Sequence, residues 1–231
     1  MNLSVAFAGL VAGVIVWALL VRSLTTKPWE AQDPASSNMG RTHGLAPARI
    51  GLLILLAVIT SLFGLFISAY YMRMGHGHGE QGHGNWSSFP QPQILWLNTA
   101  LLILGSVAMQ WAQGAVRKDK RAQTAYGLIA GGLLTCLFLG GQLIAWRQVN
   151  AAGYASGFFG TSNPAIAFFY LLTAVHGLHL LGGLCVWAKT LVRLSEGVAI
   201  GALRLSVELC TVYWHYLLLV WLVLFALLLS T

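Results

Sequence analysis

Three histidines fall inside long apolar stretches of the chain: His176, His179 and His215. An imidazole can bind a metal, carry a proton or form a hydrogen bond, and an ionisable side chain in hydrocarbon is costly without such a role. A helix places His176 and His179 on one face, because they are three residues apart. If the last two apolar stretches form neighbouring antiparallel helices, His179 and His215 lie at the same depth, about 12 Å from one boundary.

Glu208 stands at the start of the last apolar stretch, where it could join a polar cluster that reaches His215. Two imidazoles and a carboxylate could bind a metal ion. Redox centres that need many histidine ligands are disfavoured, since the apolar stretches contain only three. We therefore predict a structural polar cluster of His176, His179, Glu208 and His215, in which neutral imidazoles form hydrogen bonds between the last two helices.

A second group of histidines, His76, His78 and His83, lies with Glu80 in the loop after the second apolar stretch, separated by glycines. These side chains could bind copper or zinc. Ordering so glycine-rich a chain would consume much of the binding free energy. A solvated loop is the favoured interpretation, and a metal site is the weaker alternative.

Composition excludes a water-soluble globular domain, because 57% of the residues are hydrophobic and only 8% are charged. The net charge of +7 comes from basic residues between the apolar stretches, which indicates membrane topology rather than nucleic-acid binding. The three cysteines, Cys136, Cys185 and Cys210, form no CxxC pair and lie in apolar sequence, so we expect neither a disulfide framework nor a thiolate metal site.

The elements that must position these histidines are apolar runs long enough to cross a bilayer. Six runs qualify: 3–21, 50–72, 94–115, 124–146, 164–187 and 208–229. The sequence thus predicts an all-α polytopic membrane protein of six transmembrane helices. It divides into an N-terminal helix at 1–22, a cytoplasmic linker at 23–48 that is rich in Pro, Ser and Ala, and a five-helix bundle at 49–231.

The distribution of lysines and arginines between the loops predicts how these six helices are oriented in the membrane. Eleven of them lie in the first, third and fifth loops, whereas the other side has only Arg73 and Arg147. This asymmetry predicts that the three basic loops are cytoplasmic and that both termini are outside. Small residues, Gly9 and Gly13 in the first helix and Gly182 and Gly183 in the fifth, are candidates for close helix packing.

Two long motifs carry a resemblance to a known family. The segment FFYLLTAVHGLHLLGGL, residues 168–184, resembles the TGxHGLHVxxG signature of cytochrome c oxidase subunit III, and VELCTVYWHYLLLVWLVLF, residues 207–225, resembles its E-x-x-x-x-YWHFVDVVWLFLF signature. With weaker matches upstream, the resemblance covers residues 49–228. The motif positions that it matches are Asn98, Gln142, Gly177, Tyr213, Trp214 and Trp221.

This resemblance implies a non-catalytic subunit of a haem–copper respiratory oxidase in the bacterial inner membrane. Haem and copper are then expected in partner subunits, above all catalytic subunit I, while this chain binds phospholipid and helps to sustain proton uptake. The chain departs from the family pattern at Ile59 and Leu218, where the family commonly has acids. The alternatives are subunit III of a quinol oxidase, an accessory protein of nitric oxide reductase and a stand-alone transporter.

Overall fold

The computed structural model describes residues 47–76, 93–151 and 164–230. These residues form five helices: α1 (Pro47–His76), α2 (Ile94–Arg117), α3 (Arg121–Ala151), α4 (Pro164–Ser195) and α5 (Ile200–Leu229). Each of the five is long and apolar enough to cross a membrane. The all-α membrane class and five of the six predicted spans are therefore confirmed. The predicted helix at 3–21 and the linker after it lie outside the described residues.

Helix ends differ most from prediction at the turn between α4 and α5. The last helix begins at Ile200, so the prediction that it starts near Glu208 is wrong. Apolar length measures only the part of a helix inside the hydrocarbon, whereas α5 continues beyond it and includes the charged Arg204. The chain reverses just before α5 at Gly197, whose φ of +88° favours glycine.

Four of the helices close a ring, in which α2 packs against α3 and α5, and α4 packs against α5 and α3. Glycines of α3 allow α2 to approach closely. A Cβ added at Gly127 would lie 2.9 Å from the backbone nitrogen of Ala112, and one added at Gly131 would lie 2.7 Å from Sδ of Met109. Small residues at a helix crossing let the two backbones approach closely. The resulting van der Waals contacts are a main source of helix association in lipid.

The centre of this ring is aromatic and is tied together by indole hydrogen bonds. Trp221 of α5 is completely buried, and its Nε1 donates to the Thr99 hydroxyl of α2 at 3.0 Å. Its ring meets the edge of Phe138 from α3 with centroids 4.9 Å apart. Trp214 donates to Thr135 of α3 at 2.9 Å. Two tryptophans of α5 therefore bind it to both α2 and α3.

Basic residues lie at one end of the ring, near the turn between α2 and α3 and the turn between α4 and α5. We call this the basic end, and its residues are Arg117, Lys118, Lys120, Arg121, Lys189, Arg193 and Arg204. Here Arg204 donates to both carboxylate oxygens of Asp119, each at 2.9 Å. Arg121 donates to the backbone carbonyls of Leu194, in the last turn of α4, and of Val198, just beyond the end of that helix. These bonds connect the two turns of the basic end.

The chain divides into two compact units at Gly64 and Leu65. In the first unit, the described part of α1 buries Leu56, Ile59 and Phe63, and the Thr60 hydroxyl donates to the carbonyl of Leu56 at 2.7 Å. The second unit contains the remainder of α1 and the ring of α2 to α5. Within it, Tyr70 of α1 meets Phe168 of α4 edge to face, with centroids 5.5 Å apart.

Candidate functional site

His215 joins α5 to α2. Its Nδ1 is hydrogen-bonded to the hydroxyl of Ser106, and its Nε2 lies 3.0 Å from Oε1 of Gln110. An amide oxygen can only accept a hydrogen bond, so the contact with Gln110 assigns the imidazole proton to Nε2. Nδ1 then carries no proton and accepts a hydrogen bond from the Ser106 hydroxyl. Within the described part of the chain, both hydrogen-bond partners of His215 belong to α2, whereas the sequence led us to expect its imidazole to bond towards α4.

His179 lies half-buried on α4, and its Nδ1 is 2.7 Å from the backbone carbonyl of Val175, one turn earlier. The link between α4 and α5 at this level comes from Tyr213, whose hydroxyl donates to the backbone carbonyl of His179 at 2.9 Å. Gly183 makes room for this tyrosine, since an added Cβ would lie 2.7 Å from its ring. The two helices are neighbours as expected, and the phenol of Tyr213 joins them at this level.

His176 is completely buried within the ring of helices. Its imidazole centroid is 5.2 Å from that of Trp221 and 5.9 Å from that of Phe138. Glu208 is half-buried near the basic end. No three His, Cys, Asp or Glu side chains group as metal ligands within residues 47–76, 93–151 and 164–230.

The other candidate ligands, His78 and His83, lie outside the described residues, as do Gly9 and Gly13. His76 ends α1, and its side chain is not described.

The matched motif positions form parts of the helix contacts. Asn98 and Gln142 are buried, and neither amide has a hydrogen-bond partner among the described residues. A Cβ added at Gly141 would lie only 2.0 Å from Oδ1 of Asn98, so a larger residue there would displace the buried Asn98 amide. Gly177 has Leu139 of α3 nearby, whereas a Cβ added at Gly182 would meet no described atom within 4 Å.

A groove of about 580 Å³ opens between α2 and α5 beside His215. Its polar side chains are Ser106, Gln110 and His215, with Lys118 and Gln123 at the basic end. The remaining walls are Ile103, Val107, Trp111, Gly114, Ala115 and Leu218. Sequence reasoning missed this groove, although one signal was available: Gln110 is an amide in an apolar run, one helical turn after Ser106.

Comparison with known proteins extends the resemblance over nearly the whole chain. Residues 13–230 match the family model described as cytochrome c oxidase subunit III. The chain is 28% identical to a probable cytochrome c oxidase subunit 3 of Nocardia farcinica over 205 residues, which cover 84% of this chain and 94% of that protein. It is 31% identical to the subunit 3 of Synechocystis sp. over 134 residues, 57% of this chain and 54% of that protein.

A third similar protein is the cytochrome c oxidase subunit 3 of Prototheca wickerhamii, 30% identical over 133 residues, which cover 58% of this chain. The match there spans 48% of the relative, so the chain covers about half the length of several proteins that it resembles.

Proposed function

Because this chain belongs to the cytochrome c oxidase subunit III family, we propose that it acts as a non-catalytic subunit of a haem–copper terminal oxidase. The observation that carries the proposal is where the motif residues lie. Trp214, Trp221 and Tyr213 form hydrogen bonds between helices, and His176 lies in an aromatic core. Residues used in this way stabilise a bundle that associates with a catalytic partner.

The proposed partner is the oxidase subunit that binds haem and copper, subunit I. Large apolar side chains cover the outer faces of α2, α3 and α4, for example Leu133, Leu143 and Leu178, and such faces suit either lipid or another transmembrane subunit. Phospholipid fits this surface, because the basic end provides cations that attract anionic headgroups. Relatives from Nocardia farcinica and Synechocystis support a bacterial cytoplasmic membrane as the location.

A contribution to proton uptake would have to avoid the two positions at which the family commonly has acids. Ile59 is buried in the first unit, and Leu218 lines the groove of the second. Neither side chain can bind a proton. We therefore propose that this chain supports turnover by holding its partner in place rather than by carrying protons at these positions.

Purification in mild detergent through a tag on this chain tests the proposal. We expect a reduced-minus-oxidised spectrum with haem bands, and a larger polytopic protein that holds the haem. The haem type and oxidation assays with cytochrome c and with a quinol then separate a cytochrome c oxidase from a quinol oxidase. Nitric oxide reduction by the preparation would favour the accessory-protein alternative.

A colourless protein that purifies alone, under conditions in which known oxidase complexes survive, would contradict the proposal. Transport activity of that solitary protein in vesicles would then favour the transporter.

Replacing His215 with leucine separates a structural role from a redox role. The variant loses two hydrogen bonds to α2, so we expect it to be less stable by about 1–2 kcal/mol. The haem spectrum of whatever complex remains should keep its band positions, since both imidazole nitrogens are engaged in hydrogen bonds to α2. Thermal unfolding and the difference spectrum measure the two effects. A complex that assembles normally but lacks a haem or copper signal would overturn the structural role.

A further inference from the structure

The groove between α2 and α5 is a docking face, and we propose that it seats a transmembrane helix of a neighbouring oxidase subunit. This inference rests on the proposed function, because it assigns the face through which the chain joins its complex. The occupant is a predominantly apolar helix with one hydrogen-bond acceptor near Gln110 and negative charge near Lys118. Three features of the groove lead to this description.

The first feature is a ridge of α2 that runs along the groove. Ser106, Gln110 and Gly114 are spaced by four residues along α2 and all line it, as does Lys118, four residues further on and just past the helix end. That spacing keeps them on one face of the helix. Gly114 is small and has open space around it, so a second helix can approach α2 closely at this point of the ridge.

The second feature is an exposed amide at hydrocarbon depth. Gln110 lies seven residues before Arg117, so its Cα is about 10 Å inside the basic end. Its Oε1 pairs with His215, while its amide nitrogen, which can donate twice, has no hydrogen-bond partner within the described part of the chain. Lipid tails offer no acceptor, and a buried donor without one is costly. A partner side chain that bears a carboxylate, hydroxyl or amide oxygen would satisfy it.

The same depth argues against a phospholipid as the occupant. Its headgroup would lie beside Lys118, which is eight residues and about 12 Å further along α2 than Gln110. At the level of the amide such a lipid is mostly acyl chain, and its ester oxygens, which lie closer to the headgroup, are its only acceptors on that side. A transmembrane helix can present polar atoms at both levels, so the groove favours a protein.

The third feature is the charge at the mouth of the groove. Lys118 is exposed, and no carboxylate lies within ion-pairing distance of it among the residues that the structure describes. The negative end of a helix dipole or an acidic side chain of the partner complements this cation. Beyond it Ile103, Val107 and Leu218 form apolar walls around the polar side chains of the groove, and these walls suit the apolar body of the same helix.

Filling the groove from within tests the proposal without disturbing the bundle. A Cβ added at Gly114 meets no described atom within 4 Å, so Gly114→Leu should fold and insert normally while its side chain occupies the groove. We expect the tagged variant to recover at least about tenfold less haem-containing partner than the parent chain, the change produced by ~1.4 kcal/mol of association free energy.

Gly140→Leu is the matched control, because Gly140 of α3 also has open space around it and does not line the groove. This variant should recover the partner as the parent does. Equal recovery with Gly114→Leu and the parent would overturn the docking face, whereas a parent chain that recovers no haem protein would instead contradict the proposed function.

A photo-crosslinking residue at Val107 identifies the occupant directly. Val107 is exposed in the groove, and Leu133 of α3, also exposed but outside it, provides the comparison site. We expect a protein adduct from Val107 at several times the yield from Leu133, with mass spectrometry assigning the adduct to a transmembrane segment of the partner. Adducts with phospholipid alone at Val107, or equal protein adducts at both sites, would overturn the proposal.

Discussion

Replacing Gly127 with valine is expected to destabilise the bundle by about 1–3 kcal/mol, the usual cost of overpacking a close contact. The first added carbon would lie 2.8 Å from the Cβ of Ala112 and 2.9 Å from its backbone nitrogen. A flexible side chain could rotate away, but the backbone of α2 can yield only by separating from α3. Because α2 also contacts α5, that separation would disturb the ring on two sides.

Thermal unfolding of the purified protein in detergent measures this cost, and Gly140→Val is its control on the same helix. An added Cβ at Gly140 meets no described atom within 4 Å, so the control should unfold at nearly the parent temperature. The two substitutions make the same chemical change and have the same intrinsic helix penalty. Equal stability of both variants would show that α2 and α3 do not approach closely at Gly127.

The five described helices could be predicted from the sequence, because the requirement for an apolar span is strict. A chain in hydrocarbon must satisfy its backbone polar groups internally, so long apolar runs leave the helix as the main choice. The ends of the helices were predicted less accurately than their existence. At the turn before α5, hydropathy placed the start near Glu208, whereas the helix begins at Ile200, within the charged sequence. Charge marks the edge of the hydrocarbon but not the end of a helix.

The partner of His215 could not be predicted, because depth in the membrane is only one of two coordinates that place a side chain. The sequence gives the height of a residue along its helix, about 1.5 Å per residue, but not the rotation of that helix about its own axis. Here α5 turns His215 towards Ser106 and Gln110, and turns Tyr213 towards the carbonyl of His179. Packing across all four helices fixes that rotation.

At the centre of the bundle, the contacts of the buried tryptophans could not be predicted from the sequence either. The family resemblance singles out Trp214 and Trp221 as motif positions, without indicating what they contact. The structure adds their acceptors, Thr135 and Thr99, which lie on two different helices. A threonine in a membrane helix can bond to its own backbone, so nothing in its sequence reveals that it also accepts from a distant indole.

Replacing Trp221 with alanine is expected to cause the largest loss of stability of any single change in the ring, about 3 kcal/mol. This value is the lower end of the range for tryptophan-to-alanine changes in water-soluble cores. The lower end applies because lipid tails are as apolar as the core, so little transfer free energy is lost. What disappears is packing against Phe138 and His176, and the hydrogen bond to Thr99.

Two comparisons separate those contributions. Trp221→Phe keeps an aromatic ring but removes the indole N–H, so it should retain most of the packing and lose about 1 kcal/mol for the hydrogen bond. Combining it with Thr99→Val gives a double-mutant cycle for that bond. Trp96→Ala provides the exposed control, because Trp96 is 62% exposed and should change stability by about 1 kcal/mol or less. If Trp96→Ala and Trp221→Ala proved equally costly, Trp221 would not lie at the centre of the ring, and the indole would act at the protein surface instead.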